Sequence, residues 1–478
     1  VAAERVIFAF TRDLRLGDHA GLAAAARLGT VVPVLVIEAA TADRLRRSPR
    51  RAAFYCEAVA ALAESLQARG SRLIVRRGPA GPTLRALAKA TGAAGVGWTL
   101  GYDAKSVHAD RALQSTLEEA GLRALPVHDA PVVSPDESAA AHHQSGGYRA
   151  FVPYHARWRT FVPPEYSGPV GFADSSLQSE ALPEPSEFGS EAVCRRPVSE
   201  AAAAAAASRF LELPALGYAV ARNVPAAEST SHLSADLAFG TIAARTIVRA
   251  AIVRLRDPFL LTEEKTGLRL FLRAFAQRDF FLQLAWFTEA LGELPLQAKM
   301  RRFRFARTHA QFEAWRSGRT GFPLVDAGIR ELHATGWMHP RVRTIAASFL
   351  CFDLGVDWRV GRDEWDRWLI EDTPALATGN WQWIAGVGAD LAAYPRIYNP
   401  IKQARRFDPA AIYIRRWIPE LALAPDDGIL DPYAGCTTRQ LGFDLFGAQA
   451  YPAPVLEHET AARDFLARYG REVRAASA

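Results

Sequence analysis

The chain has 478 residues, 49% of them hydrophobic and 23% charged, with a formal net charge of +6. That length exceeds one ordinary hydrophobic core, so two or three domains are expected, and the composition excludes a disordered or fibrous chain. No apolar run reaches the roughly 18 residues of a membrane-spanning helix, and the mildly basic charge permits a polyanionic partner without requiring one.

The opening "VAAERVIFAF" runs directly into a strand pattern and lacks the charged, apolar and cleavage regions of a secretory leader. Cys56, Cys194, Cys351 and Cys436 are scattered without a C-x-x-C pair, which argues against an iron–sulfur or zinc site. A reducing cytoplasmic compartment, a monomer, and neither a metal nor a membrane partner are the expectations.

Residues 1–130 alternate between apolar runs of strand length and helical periodicity. "RVIFAF", "VVPVLVIE", "RLIVRRG", "AAGVGWTL" and "RALPVHDAPVV" read as strands, separated by segments such as "FYCEAVAALAESLQARG" and "GPTLRALAKATG" that read as helices. Strand–helix alternation predicts a doubly wound parallel sheet. Neither G-x-G-x-x-G nor G-x-x-x-x-G-K-[ST] occurs, so the usual dinucleotide and P-loop fingerprints are missing. Residues 131–205, rich in Pro, Ser, Gly and Glu, read as a connector pinned to the surface without a core of its own. Ser199 is placed to cap a helix in "SEAAAAAAASRFLE". Residues 206–478 read as helices with few strands, among them "TEEKTGLRLFLRAFAQRDFFLQLAWFTEAL", "PLVDAGIRELHATG" with its glycine stop, and "HPRVRTIAASFLCFDLG" with an early proline. The fold class is therefore α/β plus all-α.

Three stretches carry chemistry. In "TSHLSADLAFG", Thr230, Ser231 and Ser234 cluster ahead of a helix, an arrangement that suits a phosphate or, more blandly, a capping motif. In "ALATGNWQWIAGVGAD", Trp381 and Trp383 stand without an aliphatic run around them. The third is the long block "RTGFPLVDAGIRELHATGWMHPRVRTIAASFLCFDLGVDWRVG", continued by "NWQWIAGVGADLAAYPRIYNPIKQARRFDPAAIYIRRWIPEL". Together with "FTRDLRLGDHAGL" and "YRAFVPYHARW", these stretches resemble the photolyase/cryptochrome flavoproteins over nearly the whole chain, as a divergent relative of the class I deoxyribodipyrimidine photolyases.

The resemblance implies an antenna-type α/β domain and a helical domain that grips a U-shaped FAD. Tyr218, Thr230, Ser231, Leu233 and Ser234 would hold its diphosphate and ribityl parts. Arg278 and Arg343 would lie near the cofactor, with Glu371 as the acid opposite that arginine, an arrangement in which the two charges satisfy each other. A second chromophore, folate or deazaflavin, would belong to the α/β domain, although no residue set chooses between them. Trp381 and Trp358 match the two inner members of the family's electron-relaying tryptophans. The outer member is Phe305, far harder to oxidise, and Trp365 and Trp368 offer another route. Trp383 resembles the wall against which a flipped lesion base packs.

The departures cluster by analogy around one cavity. Ala377 stands where the family has Asn, Asp or Cys beside the flavin and can neither donate nor accept a hydrogen bond. Thr373 replaces a second acid. Pro340 replaces an Asn, removing an amide and an N–H together. Ala274 and Gln277 stand in place of a Glu and a Trp of the pyrimidine-dimer pocket, and Thr344 in place of a Met. The extra histidines of a (6-4) photolyase are absent from this pocket. Arg222, Arg341, Arg396 and Lys402 match basic positions that flank the family's DNA groove, where positive charge holds a backbone without reading sequence; the bland alternative ties them to local carboxylates. Three readings follow: a light-driven DNA lyase with an altered lesion pocket, a cryptochrome-like blue-light sensor, and a flavoenzyme or flavin-free relative acting on a small molecule.

Overall fold

The computed structural model describes residues 4–142, 146–173, 177–227, 229–308, 310–389, 395–424, 426–434 and 451–474; Cys436 lies outside them. The chain divides into two compact units. The first comprises Val1–Leu216, Ser231–Gly292 and Ile370–Leu376, and the second Gly217–Thr230, Glu293–Leu369 and Ala377–Ala478.

The first unit contains the expected parallel sheet: β1 (Arg5–Phe10), β2 (Thr30–Ile37), β3 (Ile74–Arg77), β4 (Ala93–Thr99) and β5 (Arg123–Val127), in spatial order β3-β2-β1-β4-β5. All four pairings are parallel. Between them run α1 (Ala20–Ala26), α2 (Ala39–Arg46), α3 (Pro49–Gln67), α4 (Ala80–Thr91) and α5 (Ala104–Glu119). Successive side chains of a strand point to opposite faces. Accordingly Val6, Phe8 and Phe10 of β1 enter one core with Phe54, Tyr55 and Leu62 of α3, while Ile7 and Ala9 enter another with Leu84, Leu87 and Ala88 of α4. A sheet covered on both faces explains why its strands read as continuous apolar runs. The turn into α1 is structural: His19 Nδ1 accepts from Leu22 N at 3.3 Å, and Asp18 pairs with Arg245 and Arg249.

The proline-rich connector is pinned along its length. Val31 and Phe172 form an isolated parallel bridge beside β2, and Phe188 and Val198 enter the core under α3. Ser199 caps the helix Glu200–Glu212 through Ala202 N. The long apolar pattern becomes the single helix Thr262–Phe287.

The second unit is helical, with Pro323–Thr335, Pro340–Ser348, Trp358–Trp365, most of Pro374–Ile384, and Pro400–Phe407 as its principal elements. Gly336, at φ 73°, supplies the expected stop. His339 caps Pro340–Ser348 through its Nδ1, which accepts from Arg341 N. Among the described residues, no helix is long and apolar enough to cross a membrane and no group of His, Cys, Asp and Glu is placed to hold a metal ion.

Candidate cofactor and substrate site

In the first unit, Arg278 lies on the helix Thr262–Phe287 and donates to the Ala130 carbonyl at 2.8 Å. Its neighbour Asp279 is 1% exposed and accepts from Val132 N, Val133 N and Trp158 Nε1. Burial pushes the Asp279 carboxyl up to about 6, against the Arg278 charge, and lowers Arg278 itself. Ala274, Gln277 and Arg278 share a helix face by their i, i+3, i+4 spacing; Ala274 is exposed and Gln277 half-buried. Glu371 accepts from Ser234 Oγ at 3.3 Å, which brings together two residues expected at the cofactor. Thr373 is half-buried nearby in sequence.

Leu233, 1% exposed, occupies the cap position of the helix Ser234–Phe239, and its own side chain makes no capping hydrogen bond. His232, between Ser231 and Leu233, adopts a left-handed φ of 52°, a conformation sparsely populated by side-chain-bearing residues.

In the second unit, Trp381 lies on the helix Pro374–Ile384, one turn after Ala377, so the two share a face. Trp383, two positions on, points elsewhere, and the Arg396 guanidinium lies 5.8 Å over its ring. Gln382 is buried between them and is held by Leu296 N and the Leu294 carbonyl. Helical geometry thus gives three consecutive residues three different surroundings.

The Trp381 ring lies 4.6 Å from that of Trp365, which stacks at 6.0 Å and 14° on fully buried Trp315. Trp358 is fully buried but has no ring contact with Trp381; Arg359 and Arg362 lie 4.6 and 5.2 Å from its ring. Trp368 packs on His333 at 4.0 Å, and Phe305 packs among Phe303 and Phe465.

A residue that sequence reasoning missed is Gly361. A Cβ there would stand 2.3 Å from the Trp381 ring and 2.4 Å from Leu350. Its absent side chain is what lets the indole reach the helix Trp358–Trp365. Gly361→Ala is expected to displace Trp381 and lower stability by about 2 kcal/mol, the scale of an overpacked core; denaturant unfolding and near-ultraviolet circular dichroism would check both effects.

Pro340 is exposed at the first position of its helix, and Thr344, one turn later, donates its hydroxyl to the Pro340 carbonyl at 3.1 Å. Arg343 donates to the Met338 carbonyl at 2.8 Å. Arg341 donates twice to Asn223 Oδ1 and lies over the Phe407 ring at 4.8 Å. Burial lowers Arg341, as does the nearby charge of Arg222. Arg222 lies 5.9 Å over the Tyr218 ring, and its Nε is buried without a hydrogen-bond partner among the described residues. Burial raises the Tyr218 phenol. Exposed Lys402 pairs with Glu459 at 3.3 Å.

The family description "DNA photolyase" matches residues 6–170, and "FAD binding domain of DNA photolyase" matches residues 271–471. The deoxyribodipyrimidine photo-lyase of Halobacterium salinarum is 33% identical across 97% of this chain and 98% of its own length. The chain belongs to the photolyase/cryptochrome family. Two solved photolyases agree with this chain in fold. The bacterial class III photolyase of Agrobacterium tumefaciens superimposes with a TM-score of 0.85 at 30% identity, covering 99% of this chain and 98% of that one. The archaeal photolyase of Sulfolobus tokodaii, whose structure contains two FAD molecules, gives 0.83 at 26% identity over 98% and 100%.

The photolyase cofactor FAD has matching donors in this chain. Among the described residues, Ser229 Oγ and Thr230 Oγ1 are buried with no hydrogen-bond partner. Such hydroxyls are costly unless something accepts from them, and an acceptor-rich diphosphate would. Ser229, adjacent to the hydroxyl cluster seen in the sequence, carried no signal of its own; only its burial reveals it.

Proposed function

We propose that this photolyase-family flavoprotein is a light-driven, electron-transfer lyase acting on DNA, with a lesion pocket altered from the cyclobutane-dimer pattern. One observation carries the DNA part. Arg222 and Arg341 are partly buried, yet the partners that hold them are a tyrosine ring, an amide oxygen and a phenylalanine ring. Their positive charge is left for a phosphate backbone to neutralise. Arg396 and Lys402 match the same groove by position in the sequence, although Lys402 already faces Glu459.

In this reading the residues that hold FAD are Tyr218, Thr230, Ser231, Leu233, Ser234, Arg278, Arg343, Glu371 and Thr373. FAD, when bound, supplies light absorption and one-electron chemistry. Trp381 relays an electron inward from its indole neighbours. Ala377 presents only a methyl group on the same helix face, so it offers no proton or hydrogen bond where relatives use Asn, Asp or Cys. Trp383 is a flat wall suited to an extruded base. Pro340 and Thr344 contribute little polar recognition, since proline has no N–H and the Thr344 hydroxyl is already engaged. Ala274 and Gln277 are further departures from the dimer-repair pattern. A second chromophore, folate or deazaflavin, would serve as an antenna.

The test is binding and light-dependent turnover on duplexes carrying single defined lesions. Preference for at least one photolesion over undamaged DNA, with reversal under blue light, is expected. Equal binding to every lesion and to undamaged DNA overturns the lyase reading. Displacement of DNA by a small molecule would then favour a metabolic flavoenzyme, and light-driven flavin reduction without turnover a sensor.

A further inference from the structure

Asp372 has a place in the molecule that the proposed function leaves unused. It belongs to the segment Ile370–Leu376 of the first unit, and residues 371–373 have no regular secondary structure. Backbone of that kind is positioned by its side chains. Ile370 packs against the core of the sheet. Asp372, 4% exposed, accepts from Arg44 Nε at 2.8 Å, and Arg44 Nη2 faces its other carboxylate oxygen. Arg12 Nη2 lies 3.5 Å from the same carboxylate, while Arg12 Nη1 donates to the Asp372 carbonyl at 3.2 Å. Arg44 comes from the last turn of α2 and Arg12 from just beyond β1, so the grip originates on elements that flank the sheet.

Glu371 sits between these two anchors and turns to the Ser234 hydroxyl. A forked guanidinium–carboxylate pair fixes direction as well as distance. A buried pair of this kind adds little net stability over an apolar replacement, but removal of one partner strands the other. Its value is therefore geometric. We propose that Asp372 is a positioning residue: gripped by Arg12 and Arg44, it holds the segment so that Glu371 stands at Ser234 in the orientation FAD binding requires. The chain's two adjacent acids then have separate tasks, one toward the sheet and one toward the cofactor. This rests on Glu371 being a cofactor residue, which its own substitution checks separately.

The experiment is a double-mutant cycle on the FAD-loaded protein, with FAD dissociation followed by the fluorescence of released flavin and folding followed by thermal melting. Asp372→Asn is expected to weaken FAD about tenfold, the scale of a modest coupling between sites. Glu371→Gln is expected to weaken it at least as much. Adding Asp372→Asn to Glu371→Gln is expected to cost less than about twofold further, because the two act as one unit. Wild-type FAD retention in Asp372→Asn overturns the proposal, as do losses that multiply in the double variant, which would mark general loosening. Wild-type retention in Glu371→Gln overturns the cofactor role of Glu371 and this proposal with it. Should Asp372→Asn fail to fold, Arg12→Gln replaces it, removing the more exposed half of the grip under the same criteria.

Discussion

Trp365→Phe will slow light-driven reduction of bound flavin by about 30-fold, whereas Trp358→Phe will change it less than about twofold. The direction follows from charge and contact. Oxidation of an indole makes a cation, and Trp358 lies beside two guanidiniums, 4.6 and 5.2 Å from its ring. At such distances, with an effective dielectric constant near 20, each positive charge opposes a new one by roughly 3 kcal/mol. Asp357, paired with Arg359, and Asp363, paired with Arg362, offset part of this, leaving a net penalty of about 2 kcal/mol, or about 30-fold in rate. Among the described residues no such cation lies over the Trp365 ring, which is in contact with Trp381. It also continues to Trp315, whereas the expected path beyond Trp358 ends at Phe305. Transient absorption of the tryptophan radical in both variants would decide the route. An unchanged rate in Trp365→Phe, with a large loss in Trp358→Phe, would restore the ordinary relay.

This route was half legible in the sequence. Phe305 announces a break, and Trp365 and Trp368 suggest a detour, but only the fold separates them: Trp365 meets Trp381 while Trp368 meets His333. The parallel sheet was readable because strands buried on both faces are written as local runs of Val, Ile, Leu and Phe. The helix Pro374–Ile384 was harder, since Thr378, Gly379, Asn380 and Gln382 interrupt any apolar stripe. Gln382 is buried nonetheless because two backbone groups more than eighty residues away satisfy its amide. Gly361, Ser229 and Asp372 share one reason for being missed. Each acts through a partner distant in sequence or through the lack of one, and no local pattern encodes that. What the sequence alone did carry was the list of changed positions; the helices place Ala274 with Gln277, and Pro340 with Thr344, on shared faces.

Arg222→Ala combined with Arg341→Ala will weaken DNA binding about a hundredfold at low salt, and equally for damaged and undamaged duplexes. Each guanidinium that meets a phosphate releases condensed counterions, so each removal should lower the magnitude of the salt slope by about 1. Lys402→Ala should do less, because its charge already faces Glu459 at the surface and exposed pairs are screened and weak. Arg341→Ala also strands Asn223 and uncovers Phe407, so its melting temperature must be measured beside its affinity; Arg341→Lys keeps the charge, loses the doubly bonded geometry, and should recover most of the salt slope. The lesion preference should be untouched in all these variants, since backbone charge positions a duplex without reading it. Preference should instead respond to Trp383→Ala, where loss of stacking is worth about 1–3 kcal/mol per base. Salt titrations of binding to one lesion-bearing and one undamaged duplex separate the two effects. If the double arginine variant keeps the wild-type slope, these side chains are structural, and the case for DNA as the partner falls with them.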